Sequence, residues 1–385
     1  MKKTTCIASL MVCLSMGQAG ALAQNIRIDM NKTYPEKTIS LQKVADVKYI
    51  PLETTDEALF NGVVTHLSAE GIAGFNKKEG DILVFDGTGK AIASFNHTGQ
   101  GPNEYNKIYH LDVDWKQKEV YVQDNFRQKI RIYALNGSHL RTIDLHETMQ
   151  EGDLYNFSDT HLIYYAQPKS KPVTPYEPVT LLTKKDASKV TLPFTKTDDN
   201  LVKATGGPFG DMKMSAKNVN LLCKKGDEVY VNEVTADVIY RVESNHALTP
   251  VVERTPSYQD ASGQDFFLML TGANARYYFF KRQQALLEFQ GNAATDTKST
   301  YVAYDRKEKQ LLNPTFTNED YPSQDISMSK LLQCAGSANR CYLQLEAFKL
   351  KEALAEGKLK GTLKSIAEKL DEEDNPVLMV VEFKK

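Results

Sequence analysis

The sequence of 385 residues predicts an all-β chain built as a β-propeller, and a repeated hairpin is the first reason. Each copy consists of an alternating strand, a glycine-containing turn and a second alternating strand, as strand pairs joined by tight turns require. A period of about 40–50 residues with four short strands is typical of one propeller blade. The matching positions lie 48 residues apart: Phe85, Gly89, Ile92 and Phe95 in one copy, and Tyr133, Gly137, Leu140 and Ile143 in the other.

A second repeat supports the first. The segment EVYVQDNFRQKIRIYA at 119–134 resembles EVYVNEVTADVIYRVE at 228–243. Two hairpins of a β-sandwich could resemble each other by chance. The fixed offsets at four positions favour the propeller.

Three segments also resemble a known family: VADVKYIPLETTDEALF, the loop GQGPNEY and the ending EEDNPVLMVVEFKK. Together they look like the six-bladed β-propeller proteins common in Bacteroidetes, which are described as NHL-like or of unknown function. The loop of that family is close to G-R-G-P-G-E-Y. Gln100 therefore stands where Arg is usual, and Asn103 stands where Gly is usual. A role that the Arg has in that family cannot be assigned to Gln100. The resemblance implies six blades and says little about function, because one fold serves many functions.

The N-terminus predicts export. Lys2 and Lys3 precede a mostly apolar run at 7–17, and Ala21-Leu22-Ala23 forms an A-x-A cleavage site. We expect residues 1–23 to be a signal peptide, and residues 24–385 to form the propeller. Neither Cys6 nor Cys13 follows a lipobox, so we expect a periplasmic or secreted product that is not a lipoprotein.

Charge excludes two classes of partner. Removal of Lys2 and Lys3 leaves 45 basic against 49 acidic residues, a net charge of −4. This balance provides neither a nucleic-acid footprint nor a polybasic membrane surface. We expect a monomer that is not an integral membrane protein.

Three cysteines remain in the mature chain: Cys223, Cys334 and Cys341. An oxidising compartment permits a disulfide between Cys334 and Cys341, and three buried thiols are an equal alternative. The absence of a C-x-x-C spacing argues against structural zinc.

The blades follow in chain order. Val44–Leu52 alternates and ends at Pro51, which suits an edge strand. Because an open sheet edge invites aggregation, we expect Asp46–Leu52 to pair with Val377–Phe383 and close the ring. Four blades have predicted bounds: Gly62–Asn96, Ile108–Leu145, Gly152–Phe194 with a proline-rich loop at Gln167–Pro178, and a fourth from Val219 to Arg254. The fifth blade is marked by Phe266–Gly272, Arg276–Arg282 and Thr300–Tyr304.

Residues 345–370 are the exception to the strand pattern. Leu345, Phe348, Leu350, Ala353 and Leu354 recur at helical spacing, and a second set of apolar residues does so before Leu370. Gly357 and Gly361 divide the stretch into two helices. We expect an insertion in the sixth blade that packs on the ring itself; a helix that binds a partner is the alternative.

Strand order within blades decides which loops share a face. The loop GQGPNEY and the turn at 124–128 should lie together at one mouth of the ring, beside the helical insertion, and loops that converge in this way often bind ligands. Glu104 could instead hold the loop's own amides, and Tyr105 could wedge between blades. The candidate ligand-binding residues are Gln100, Asn103, Glu104, Tyr105, Asp124, Asn125 and Arg127.

Motifs for catalysis are scarce. The chain contains no G-x-S-x-G, no H-E-x-x-H and no phosphate-binding loop, and its seven histidines show no ligand spacing.

Two hypotheses about function follow. One is an exported, non-catalytic binding or scaffold propeller whose mouth receives a glycan, a peptide or an envelope protein, without a cofactor. The other is a hydrolase or lactonase that uses channel carboxylates, such as Asp112 or Asp114, with Ca²⁺ or another divalent ion.

Overall fold

The computed structural model describes most of the chain beyond the predicted signal peptide, which lies outside the described residues. The described residues are 26–124, 128–145, 149–150, 153–165, 167–168, 176–196, 201–205, 212–215, 221–260, 266–290, 293–294, 298–331, 333 and 336–385.

The chain begins with three strands and a short helix that precede the first blade. They are β1 (Ile26–Asp29), β2 (Glu36–Ser40), α1 (Leu41–Val44) and β3 (Ala45–Pro51).

Antiparallel blades then follow in sequence, each running from an inner to an outer strand. Blade one contains β4 (Val63–Leu67), β5 (Gly71–Phe75), β6 (Ile82–Asp86) and β7 (Ala91–Phe95). Blade two contains β8 (His110–Asp114), β9 (Glu119–Asp124), β10 (Lys129–Ala134) and β11 (His139–Asp144). After β12 (Met149–Gln150), blade three contains β13 (Leu154–Asn156), β14 (His161–Tyr165), β16 (Val179–Thr183) and β17 (Lys189–Thr191), with β15 (Gln167–Pro168) between its middle strands.

The second half repeats the pattern with longer insertions. A hairpin of β18 (Leu201–Thr205) and β19 (Met212–Ser215) precedes blade four, which contains β20 (Leu222–Lys225), β21 (Glu228–Val231), β22 (Val238–Val242) and β23 (Leu248–Thr255). Blade five contains β24 (Phe266–Ala273), β25 (Tyr277–Gln284), β28 (Ser299–Asp305) and β29 (Gln310–Asn318), with β26 (Leu286–Gln290) and β27 (Ala293–Ala294) inserted and β30 (Tyr321–Ser327) at its edge. Blade six contains β31 (Arg340–Leu345) and β32 (Val377–Phe383), separated by α2 (Ala347–Ala355) and α3 (Gly361–Ala367).

The fold confirms the predicted all-β, six-bladed propeller and its closure. β3 pairs antiparallel with β32, from Ala45 opposite Phe383 to Pro51 opposite Val377. The first and last parts of the chain therefore share one sheet, as expected from the need to cover the open edge.

The two similar segments form equivalent hairpins, which confirms the repeat. In blade two the Tyr121 hydroxyl donates to Glu119 at 2.6 Å. In blade four the Tyr230 hydroxyl donates to Glu228 at 2.7 Å. Each tyrosine is buried, and each acid lies two residues earlier on the same strand.

Residues 26–51 form a belt around half of the ring. β1 pairs in parallel with β23, the outer strand of blade four. β2 pairs in parallel with β29, the outer strand of blade five. β3 then completes blade six, so that one continuous segment joins the outer edges of three consecutive blades. The sequence did not predict β2 or the parallel pairing.

One face of the ring carries the long insertions. It contains the links between blades and the turns between the second and third strands of each blade, and we call it the mouth face. The hairpin β18–β19, from the link between blades three and four, pairs with β26–β27, from the second-to-third connection of blade five. β12, from the link between blades two and three, also pairs with β15, from the second-to-third connection of blade three.

The helical insertion packs on the ring itself, as predicted. Leu350 and Ala353 of α2 and Leu363 of α3 are buried in one cluster with Phe316 of β29 and Ile326 of β30. The end of the insertion is held at the mouth face, where the Asn375 amide accepts from the backbone of Phe60 at 2.7 Å.

Candidate functional site

The loop GQGPNEY is built around the carboxylate of Glu104. Its Oε2 accepts from the backbone N–H of Gly101 at 2.7 Å. A Cβ at Gly99 would lie 2.0 Å from the same oxygen, so that only glycine leaves room for the carboxylate. These contacts fit the structural alternative for Glu104.

Tyr105 lies between blades one and two and is fully buried. Its hydroxyl donates to the Gly80 carbonyl at 2.7 Å and accepts from the His97 N–H at 3.0 Å. Burial raises its pKa to about 12. The ring contacts Tyr133 edge-on, and Tyr133 in turn donates to the Asn103 carbonyl at 2.6 Å. Two tyrosines therefore fix the end of the loop on blade two.

Asp124 holds the loop to blade two from the other side. It is buried, accepts from the Asn106 N–H at 2.8 Å and pairs with the buried Arg131 at 3.0 Å. The first contact places the end of the loop next to the end of β9, which confirms that the two share the mouth face. The equivalent residue of blade four, Glu233, is also buried and pairs with Lys196 at 2.8 Å. A buried acid at this position is thus a feature of blade construction.

The predicted ligand-binding residues consequently divide into groups. Gln100 and Asn103 are exposed at the tip of the loop and Glu104 is half-buried, whereas Tyr105 and Asp124 are buried. Asn125 and Arg127 lie outside the described residues. Solvent can therefore reach the side chains of Gln100 and Asn103.

Large apolar side chains are exposed at two kinds of position. Three belong to segments of the mouth face: Leu59 (57%), Tyr109 (46%) and Phe348 (51%). Three belong to the outer strands of blades one to three: Ile92 (52%), Leu140 (48%) and Val190 (46%). Leu59 and Tyr109 lie in the links that lead to inner strands, and Phe348 lies in the first turn of α2.

Asp112 joins four blades near the central channel. Its Oδ2 accepts from the Asn156 N–H of blade three at 2.8 Å and from Lys224 of blade four at 3.3 Å. Its Oδ1 lies 3.5 Å from Nδ1 of His66 in blade one. Burial alone would raise the pKa of Asp112, but Lys224 and His66 outweigh burial and hold the pKa well below its ordinary value. The carboxylate is therefore ionised and engaged by its neighbours.

Sequence reasoning found only one member of this cluster. Asp112 was recognised as an acid on an inner strand, whereas His66 and Lys224 lie 46 and 112 residues away from it. No local spacing connects them. The available signal was that all three lie on the first strands of their blades, which are blades one, two and four.

Two further titratable groups lie beside the cluster. Burial lowers the pKa of His110 to about 4, and its ring contacts Tyr155 edge-on at 4.6 Å. Burial raises the pKa of Asp153 to about 6, although its carboxylate accepts from the N–H groups of Leu221 and Leu222 at 3.1 Å. Asp153 thereby links blade three to blade four.

A backbone hydrogen bond crosses the end of the channel opposite the mouth. The Gly336 N–H donates to the Gly226 carbonyl at 3.3 Å; Gly226 lies in the first turn of blade four, and Gly336 lies in the segment that leads into blade six. A Cβ at Gly226 would lie 2.2 Å from Cα of Ala338, and one at Gly336 would lie 2.3 Å from Nε2 of His66. Both glycines have positive φ. Because blade five separates the two blades, the contact spans the channel.

Other candidate sites are limited. Cys223 and Cys341 are buried free thiols. The alternative of a disulfide between Cys334 and Cys341 involves Cys334, which lies outside the described residues. Within the described ranges, no group of three or more His, Cys, Asp and Glu side chains is arranged to hold a metal ion. No helix among those same residues is long and apolar enough to cross a membrane.

Two clefts lie away from the mouth face. The larger of these two has a volume of about 550 Å³ and lies between the belt and blade five, where it is lined by Lys32, Thr33, Tyr34, Pro35 and Leu311. A smaller cleft of about 190 Å³ lies between blade six and blade one, where Asp46, Arg340 and Glu382 are among its lining residues. Neither cleft contains the predicted ligand-binding residues.

Fold and site together define a six-bladed β-propeller with an insertion-rich mouth face. A family model described as a domain of unknown function, DUF4934, matches residues 25–382. The chain therefore belongs to the DUF4934 family.

Solved structures of two Bacteroides proteins are similar to the chain. A crystal structure of a "putative exported protein" from Bacteroides fragilis matches with a TM-score of 0.62 at 14% identity, covering 94% of this chain and 99% of that one. A DUF4221 family member from Bacteroides vulgatus matches with a TM-score of 0.49 at 8% identity, covering 89% and 98%. No curated protein matches the chain.

Proposed function

We propose that this protein is an exported, non-catalytic binding propeller of the cell envelope, and that its mouth face receives a glycan, a peptide or an envelope protein. The observation that carries the proposal is the exposure of Leu59, Tyr109 and Phe348 on the face that also carries the long insertions. Single exposed apolar residues are ordinary. Their placement on this face, together with the polar tip of Gln100 and Asn103, supports a binding surface there.

The chemistry of these side chains suits recognition. Aromatic residues dominate the binding energy of many interfaces because they remove a large apolar area from water at small entropic cost. Tyr109 offers a ring and a hydroxyl, and Gln100 and Asn103 offer amide donors and acceptors. The same groups can stack on a sugar or bond to a peptide backbone.

The channel cluster supports a non-catalytic role. A nucleophilic or basic carboxylate must be free to approach a substrate, but Asp112 is buried and engaged by groups from three other blades. A hydrolase or lactonase would have to break these contacts. Metal analysis of the mature protein tests that alternative, which stoichiometric and tightly held Ca²⁺ would favour.

Export is supported by the A-x-A site at 21–23 and by the name of the similar Bacteroides fragilis structure. N-terminal sequencing of the mature protein from its native cell should begin at Gln24. A lipidated N-terminus at Cys13 would contradict this part of the proposal.

The binding face is tested by screening residues 24–385 on glycan and peptide arrays and then mapping a hit by hydrogen exchange. We expect protection of residues 52–62 and 99–109, because these links lie on the mouth face. Protection confined to the opposite-face turns at 183–189 and 242–248 would place the site elsewhere.

A further inference from the structure

Two histidines that are far apart in sequence meet on the face opposite the mouth. His161 begins β14 of blade three, and His246 lies in the turn between β22 and β23 of blade four. Their ring centroids are 5.5 Å apart and their planes make an angle of 75°. Both residues are partly exposed, so that solutes can reach the pair.

This separation matches that of two imidazoles bound to one metal ion. With a metal–nitrogen distance of about 2.0–2.1 Å, each ring centroid lies about 3.2 Å from the ion, and a near-tetrahedral angle then places the centroids about 5.2–5.5 Å apart.

One ring nitrogen of His161 is already engaged by a neighbouring side chain. Its Nδ1 lies 2.8 Å from the Thr160 hydroxyl, which leaves Nε2 for an ion. A hydrogen bond of this kind on the second nitrogen is the usual support of a metal-bound histidine. The Ser158 hydroxyl accepts from the His161 N–H at 3.1 Å and fixes the backbone at the same point.

The turn between β22 and β23 fixes the backbone of the second histidine, His246. The His246 N–H donates to the Glu243 carbonyl at 2.8 Å, and its φ is +69°. The Glu243 carboxylate is engaged by Arg241 at 2.9 Å, so water would complete the coordination of an ion.

We infer that His161 and His246 form a site for a divalent transition-metal ion that bridges blades three and four. Imidazole nitrogen favours Zn²⁺, Ni²⁺ and Cu²⁺, whereas Ca²⁺ and Mg²⁺ require oxygen ligands. The site lies on the opposite face from the proposed binding surface and does not depend on it.

The test is calorimetric titration of tag-free mature protein with Zn²⁺, together with thermal melts. We expect one Zn²⁺ per chain, an increase in Tm with Zn²⁺ because the ion binds the folded ring, and no response to Ca²⁺ or Mg²⁺. His161→Gln and His246→Gln should each weaken Zn²⁺ binding at least tenfold and remove the increase in Tm.

Two more variants separate a metal site from a packing contact. Thr160→Val should weaken Zn²⁺ binding about tenfold, since loss of an outer-shell partner has that effect, while the Tm without metal changes little. His139→Gln removes a partly exposed histidine of blade two and should leave Zn²⁺ binding unchanged. Full Zn²⁺ affinity in either paired-histidine variant, or no Zn²⁺ binding by the parent protein, would overturn the inference.

Discussion

At the scale of single residues, the carboxylate of Glu104 decides the shape of the loop at 99–105. The sequence left two roles open for this residue, contact with a ligand and a hydrogen bond to the loop's own amides. The structure places its Oε2 on the Gly101 N–H and against Gly99. The neighbouring residue Asn103 is exposed to solvent, as a residue that contacts a ligand must be.

Glu104→Ala should lower the free energy of unfolding by about 1–3 kcal/mol, because the amide of Gly101 loses its acceptor. Asn103→Ala is the matched control and should change it by less than about 0.5 kcal/mol, as exposed substitutions do. Urea unfolding of both variants measures the difference. Equal stability of the two variants would show that Glu104 does not hold the loop.

The raised pKa of Asp153 makes the stability of the folded protein depend on pH, and the direction of the shift sets the sign of this dependence. Its pKa rises from an ordinary value near 3.8 to about 6 in the folded protein, so the folded state binds the proton more tightly. This residue's contribution therefore makes the protein less stable as pH rises from about 4 to 6, and the cost is complete above pH 6.

Asp153→Asn should remove that cost and keep an oxygen for the N–H groups of Leu221 and Leu222. The Tm of the variant minus the Tm of the parent should be more positive at pH 7.5 than at pH 4.5. Asp227→Asn, at an exposed position, serves as the control for a lost charge. A relative Tm that is lower at pH 7.5 than at pH 4.5 would contradict the burial argument.

At the scale of elements, local patterns predicted the strands well. Alternation and turn glycines located the strands of blades one, two and four within a few residues, and helical spacing located α2 and α3. The belt was harder, because β2 is a short, largely exposed strand whose pairing with β29 joins residues far apart in the chain. Sequence alternation cannot specify such a partner.

Removal of residues 377–385 should prevent cooperative folding and lead to aggregation, because β3 and β31 would both lose the strand between them. Removal of Lys385 alone is the control and should leave the melting curve unchanged. Size-exclusion chromatography and thermal melts measure the outcome. A monomeric truncated protein with the parent's melting curve would show that the ring does not depend on this closure.

At the scale of the whole molecule, the ring brings together side chains that no motif connects. The arrangement of loops on two faces follows from strand order alone, and it was predictable. The cluster around Asp112, the backbone contact between Gly226 and Gly336 and the histidine pair were not predictable, because each depends on contacts between blades. The proposed function is also of this second kind, since it depends on which side chains the assembled mouth face leaves exposed.

The central claim is that the mouth face binds the ligand, and paired double variants test it most directly. Once an array ligand is known, its affinity is measured for the parent, for Tyr109→Ala with Phe348→Ala, and for Ile92→Ala with Leu140→Ala. The second pair removes apolar side chains of similar exposure from the outer strands. We predict that the mouth-face variant binds at least tenfold more weakly, as the loss of aromatic contacts implies, and that the outer-strand variant binds like the parent. Unchanged affinity in the mouth-face variant, or an equal loss in both, would contradict the account.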